Sequence, residues 1–474
     1  MKKLLLFISI GFGFCVTSCY KDKGNYVYKV PAAPVVTGLD SSYNAIIGDT
    51  LLIAPSVTIA ESNHRLSYQW RIDIPAKDTG MYFNGPKLQY VFGLPAGSYY
   101  ALLTITDSAD SMKYFYPFTI NGVTEYSAGT LILSQESGVS QLSFVAPDGT
   151  MQPRVYAAIN GHDLPVGATQ LVVLEDQYEN PVTVSSYWIF GSGSIPGQQI
   201  DANTFLDTKT LQQNFFSAPA SLVPGTMMGN ASGTLQGVIT GQLYLGTSST
   251  WNESPVYGMF GQPAQGGTYN LYHQAAFNST FPYFLGYDSV VKQIVGFTNF
   301  GGAAFIGTGY QVSATPAFDP TNVGLDLLDF EQINDQNCYA FGVGANDSIY
   351  ELKFGAAFTG QIQLSPVYKR PFPRPDLITP ATRWASTPTE VFYFSSGSNV
   401  YSYNPLNQQL TQLVMNFNGQ AITMVKVTSG GNTLVAGVSG TVYFLDISTG
   451  KNGQLISQIN NVPGSPVDVY QRTQ

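Results

Sequence analysis

Cysteine is scarce in this chain. Cys15, Cys19 and Cys338 are the whole set, and the first two fall at the N-terminus. Cys338 is left without a partner, so no internal disulfide framework can form. Charge is scarce as well: Asp, Glu, Lys and Arg make up 11% of the residues, with 21 basic against 30 acidic and a net charge of −9. A chain of that balance offers no basic surface to nucleic acid. Histidine is limited to His64, His162 and His273, scattered, with no H-E-x-x-H and no nearby cysteine, so no zinc motif is written here. There is no G-x-S-x-G elbow and no Walker loop. Gly191-Ser192-Gly193-Ser194 has the glycines of a phosphate loop without the Lys-Ser/Thr that would follow, and reads as a turn. Beyond the N-terminal segment, no apolar run reaches the ~20 residues a membrane helix needs.

What is abundant points to strands. Aromatics are 13% of the chain, with 30 Tyr and 48 Gly, a composition suited to β-structure joined by tight turns. At 474 residues the chain is long enough for more than one domain of ~100–200 residues. The clearest unit is Val391 to Tyr403, VFYFSSGSNVYSY. Two β-rich runs flank Ser-Gly-Ser, and the second alternates Tyr401 and Tyr403 with Val400, Ser402 and Asn404, the period of a strand. Looser hairpins start near Leu131, Leu171, Leu243, Tyr283, Tyr339, Val391 and Leu434. Seven units across the C-terminal three quarters give roughly 50 residues each, close to the ~40–50 of a four-stranded propeller blade. Residues 126–474 are therefore expected to form a β-propeller of seven blades, with six or eight left open by the irregular spacing. Thr130–Ser134 is the expected partner for a strand from the far end, closing the ring so that few edges stay open.

The N-terminus begins MKKLLLFISIGFGFCVTSCYKDKGNY. Two lysines precede an apolar stretch of 13 residues, Leu4 to Val16, too short to span a bilayer and typical of a signal peptide. It ends in Val16-Thr17-Ser18-Cys19, which resembles the lipobox of bacterial lipoproteins. That resemblance implies cleavage of residues 1–18 and acylation of Cys19, with 19–33 as a tether to an outer-membrane leaflet. Residues 34–121 read as a β-sandwich. Leu66, Tyr68, Trp70 and Ile72 share one strand face, and so do Tyr99, Ala101, Leu103 and Ile105. Tyr68-x-Trp70 and Gly97-Ser98-Tyr99-Tyr100-Ala101-Leu102-Leu103-Thr104-Ile105-Thr106-Asp107 resemble strands of PKD domains, which places Trp70 in an Ig-like core. The phrase after Cys19 and the segment Gly129 to Glu136 extend the likeness to the PKD-like family lipoproteins of Bacteroidetes. Membership would imply an outer-membrane lipoprotein, on the cell surface or the periplasmic face, beside SusC/SusD-type importers.

Candidate chemistry is sparse. Glu175/Asp176 and Asp326/Asp329 are carboxylate pairs that could serve as acid and base; the simpler reading is solvated turn acids. Asp107, Asp110 and Ser111 offer oxygens to Ca²⁺, though a hairpin turn explains them. A propeller hydrolase or lyase would need His, Arg and carboxylates clustered at its channel, and the chain has little to build that from. No catalytic residue, metal or cofactor is expected. The aromatics are more telling. Trp251, Trp384, Tyr269 and Tyr272 stand beside amides and hydroxyls, the surroundings in which a ring stacks on a sugar face; the competing reading packs them between blades. The expectation is a non-catalytic binding protein serving polysaccharide capture, with a structural or protein-interaction module as the alternative.

Overall fold

The chain divides into two units, Met1–Gly122 and Val123–Gln474. The computed structural model describes residues 32–473 except 61–64, 75–78, 177–182, 249–253, 278–282, 300–301 and 429. Cys19 and the tether therefore lie outside the described residues, as does Trp251.

In the first unit a five-stranded sheet stands against two strand pairs. Its order is Ser42–Ile46, Lys113–Val123, Gly97–Asp107, Leu66–Ile74, Thr79–Asn84, and the pairs are Val35–Thr37 with Ser56–Thr58 and Thr50–Ile53 with Leu88–Val91. The period-two pattern works as read. Tyr99, Ala101, Leu103 and Ile105 are buried, as are Trp70 and Ile72, and Trp70 faces Leu103 across the ladder. Trp70 packs edge-on against Phe118, while its indole N–H donates to the Gly85 carbonyl at 2.9 Å. A buried indole without that acceptor would carry an unmet donor. Asp107 and Asp110 accept backbone N–H groups of Ala109 and Met112 at 2.9 Å, so they shape the hairpin turn.

The second unit is a propeller whose described residues form seven sheets. From the centre outwards, blade 1 is Ser465–Arg472, Gly129–Glu136, Val139–Val145, Met151–Gln152; blade 2 is Ala168–Asp176, Thr183–Gly191, Gly197–Asp201, Asp207–Thr210. Blade 3 shows three strands among the described residues, Pro224–Gly229, Leu235–Ile239, Gln242–Leu245. Blade 4 is Leu271–Phe277, Tyr283–Asp288, Gln293–Asn299, Ala303–Gly307. Blade 5 is Asp326–Asn334, Asn337–Val343, Ile349–Phe358, Ile362–Pro371, with Gln311–Val312 added in parallel at its rim. Blade 6 is Trp384–Ser386, Phe392–Ser396, Asn399–Asn404, Gln409–Gln412; blade 7 is Met424–Val427, Thr433–Val438, Thr441–Asp446, Gln454–Asn460. Each of the seven hairpins read from the sequence falls in a different blade. Phe392 pairs with Tyr403 and Ser396 with Asn399, and Gly397 turns the chain with φ +59, a left-handed conformation natural to glycine.

Closure falls one strand later than the last sequence unit suggests. Ser465–Arg472, not the 432–451 hairpin, pairs with Gly129–Glu136, running from Gly129↔Arg472 to Gln135↔Ser465. Its polar side chains bind three blades together. Asp468 accepts the Lys426 ammonium at 2.7 Å and the Leu171 backbone N–H at 2.9 Å. The Arg472 guanidinium, buried, donates to the carbonyls of Ala202 and Tyr126 and to Asn203. Elsewhere in the ring Gln170 bridges to blade 3, donating to the Met227 carbonyl and accepting its N–H. Between blades, clusters of apolar side chains fill the wedge.

Candidate functional site

The seam between blades 3 and 4 holds a cleft of about 710 Å³, a size that suits a small organic ligand. Two features of the sequence open it. The last strand of blade 3 ends at Leu245, and among the described residues no fourth strand covers its outer edge. Instead the chain loops away and returns at Phe260, which bridges Gly246. Gly246 is required there: a Cβ would sit 2.8 Å from the Gly258 carbonyl and 2.9 Å from that of Leu235. The wall on the blade 3 side comes from the turn Asn230–Ser232 with Gln236, Thr247 and Ser248. The opposite wall comes from Phe284, Asn299, Gly302 and Ala303 of blade 4, and Gly261–Gln265 closes the rim.

No Asp, Glu, Lys, Arg or His stands among the described lining residues. The polar atoms are amides and hydroxyls, set beside the apolar surface of Met228, Leu245 and Phe284. Some of the amides are already engaged. Asn230 donates to the Thr234 hydroxyl at 2.8 Å and accepts the N–H groups of Ser232 and Thr234 at 3.0 Å, which fixes its own turn. Gln265 donates to the Pro263 carbonyl at 2.8 Å. Gln236 is different. It is 7% exposed, it lines the cleft, and its carboxamide has no hydrogen-bond partner among the described residues. Its amide atoms are not sealed from solvent, so they open onto the cleft, where a ligand's polar groups can reach them. Asn299 faces it from blade 4, its side chain equally uncommitted.

The aromatics singled out by sequence do not gather at this site. Tyr269 is a correction: it is 4% exposed, stacks on Phe305 at 4.5 Å, and donates its hydroxyl to the Ala264 carbonyl at 2.9 Å. Burial pushes its phenol up to about 12. It is a prop beneath the cleft rim and has no free ring face. Trp384 is a second correction. It lies on the inner strand of blade 6, stacked on Phe341 at 4.5 Å and 19°, within the aromatic cluster shared by blades 5 and 6. Tyr272 packs against the core between blades 4 and 5, half-buried. Trp251 belongs to residues 249–253, outside those described, although Ser248 at one end of that segment lines the cleft. Sequence reasoning missed Gln236, yet a signal was there. It is the one polar side chain in Leu235–Ile239, a strand whose five residues are all buried.

The surroundings of the Asp326/Asp329 pair set its two acids apart. Asp326 is exposed and paired with Lys292 at 2.9 Å. Asp329, three residues on, is 2% exposed and accepts the Gln274 amide at 3.0 Å, leaving Oδ2 without a partner. Burial, with the neighbouring Glu331 charge, holds its carboxyl well above the usual range. The two acids thus sit in separate environments with no common cleft. His162 pairs with Asp207 at 2.9 Å on the surface. Among the described residues no three His, Cys, Asp or Glu side chains come together as a metal site, and no helix is long and apolar enough to cross a membrane. Glu351, fully buried, is satisfied by Tyr368, Tyr403 and Arg370 at 2.5–3.2 Å; this network binds blade 5 to blade 6.

A PKD-like family model matches residues 19–167, which take in the sandwich and the Gly129–Gln152 strands of blade 1. The N-terminal unit is accordingly a PKD-like domain. No curated protein matches the chain. Among solved structures it is similar to a quinonprotein alcohol dehydrogenase-like protein from Bacteroides thetaiotaomicron, at 14% identity and TM-score 0.41, over 93% of this chain and 99% of that one. It is also similar to PorZ, a surface component of the type-IX secretion system of Porphyromonas gingivalis, at 10% identity and TM-score 0.39, over 70% and 38%. A third is the dihydro-heme d1 dehydrogenase NirN, at 10% identity and TM-score 0.39, over 78% and 73%.

Proposed function

We propose that this protein is a lipid-anchored binding protein of the bacterial cell envelope, fixed to the outer membrane through Cys19, that captures carbohydrate without catalysis. One observation carries the reading: a ligand-sized cleft whose described lining holds amides, hydroxyls and apolar surface and no charged side chain. Sugars present hydroxyls that both donate and accept, beside C–H faces that bury against apolar atoms, and such a lining answers both. General acid–base chemistry on a glycosidic bond would need carboxyls flanking it, and the described lining supplies none. A SusC/SusD-type importer is the partner suggested by the lipobox and the PKD-like domain together. A glycan array probed with the chain from residue 20 onward tests the reading. Binding of any glycan class that survives titration calorimetry supports it, and a blank array with folded protein removes it.

A second reading has its own observation. The outermost strand of blade 7, Gln454–Asn460, is an open edge with Leu455 and Ile456 about half exposed. The backbone N–H of exposed Val414 donates to the Asn452 carbonyl in the turn beside it. An apolar open edge is a docking strip for another protein, and would serve the envelope module even if no sugar binds.

A further inference from the structure

We infer that the blade 3–4 cleft selects uncharged oligosaccharides and rejects uronic-acid and sulfated ones, with Gln236 as the residue that reads the sugar. The inference rests on the carbohydrate-binding reading above and specifies it.

Three observations support it. First, Gln236 has its stem packed in the blade at 7% exposure, lines the cleft, makes no side-chain hydrogen bond to the described residues, and keeps its amide atoms open to the cleft. A carboxamide carries two N–H donors and a carbonyl acceptor on one rigid plane. Two adjacent sugar hydroxyls, one accepting and one donating, match that plane in a single contact. Second, the strand holds the amide in place. Gln236 is paired on both sides, with Met228 and with Leu245, and its neighbours Leu235 and Val238 are locked in the blade cores. A group positioned in this way loses little freedom on binding. Third, the described lining residues include no cation. A carboxylate or sulfate entering would leave water with no guanidinium or ammonium to meet it, which is a heavy penalty, and the net charge of −9 opposes its approach. A neutral sugar meets neither obstacle. Asn299, on the facing wall and equally uncommitted, supplies a second amide.

The test is calorimetric. The chain from residue 20 is titrated with neutral oligosaccharides (gluco-, manno-, galacto- and xylo-oligosaccharides) and with oligogalacturonate and sulfated galactan fragments. Gln236→Leu and Asn299→Ala are titrated in parallel, each with its melting temperature. The expected result is binding of at least one neutral series, no measurable binding of the charged ones, and a tenfold or greater loss in Gln236→Leu with an unchanged melting temperature. If Gln236→Leu does not fold, a tenfold loss in Asn299→Ala carries the assignment. Neutral binding that both variants keep at wild-type strength overturns the site while leaving carbohydrate capture standing. Preference for the charged series overturns the selectivity. Failure of every glycan to bind the folded wild type overturns the parent reading, and this inference with it.

Discussion

Asp329 is buried with only one of its two carboxyl oxygens in use, and its environment makes a testable pH effect. In an unfolded chain an Asp titrates near 3.9; in the fold, burial and the Glu331 charge raise it. Burial raises the Glu331 carboxyl as well, so the two acids respond together and Asp329 carries its own share of the effect. Below the unfolded pKa both states carry the proton and the fold loses nothing. As pH rises from there through the raised folded value, the unfolded state ionises first and stability falls. Asp329→Asn removes that loss. Melting temperatures measured from pH 5 to 8 should show the variant gaining on the wild type as pH rises, and parallel curves would contradict the account. Trp384 gives the second prediction at this scale. Stacked on Phe341 and set against Phe394, it should cost about 3 kcal/mol on truncation to Ala, with glycan affinity unchanged. Denaturant unfolding and calorimetry together would expose an error, since a lost affinity at unchanged stability would return Trp384 to the surface role its sequence suggested. The sequence misled there for a physical reason. Trp384–Ser386 is a three-residue strand, too short to show alternation, and its ring partners lie in a different blade or across a turn.

At the scale of elements, the hairpins were legible because their information is local. Period-two burial and a glycine-bearing turn lie within a dozen residues, as in Val391–Tyr403. Tyr269 and Gln236 were not, because their meaning depends on what the neighbouring blade puts opposite them. The closing strand is intermediate. Ser465–Arg472 has an irregular burial pattern and little strand signal of its own; it is a strand because Gly129–Glu136 offers it a ladder. Its removal should therefore open the ring. A chain ending at residue 464 loses the inner strand of blade 1 together with Asp468 and Arg472, which tie it to blades 7 and 2. The expected outcome is loss of the propeller's cooperative unfolding transition, read by calorimetry. Retention of the full melting temperature would show that the ring does not depend on this strand. The milder change Arg472→Ala leaves two buried carbonyls and the part-buried Asn203 oxygen without their donor and should destabilise by about 3 kcal/mol.

For the whole molecule, the anchor and the two units make separate claims. Cys19→Ala should release the protein from the membrane fraction and abolish incorporation of labelled fatty acid. A mutant that stayed membrane-bound with its label would refute Cys19 as the lipid site. The PKD-like unit has its own core around Trp70, so it should give a transition of its own that survives the truncation at residue 464. The central claim is that the seam of blades 3 and 4 receives a neutral glycan, and hydrogen–deuterium exchange tests it most directly. With the tightest-binding neutral oligosaccharide at saturation, protection should rise at Met228–Gln236, Leu245–Ser248 and Gly261–Gln265 and be unchanged around the blade 5–6 cluster that holds Trp384. Protection centred on another seam, or none at those three segments while calorimetry reports binding, would contradict it.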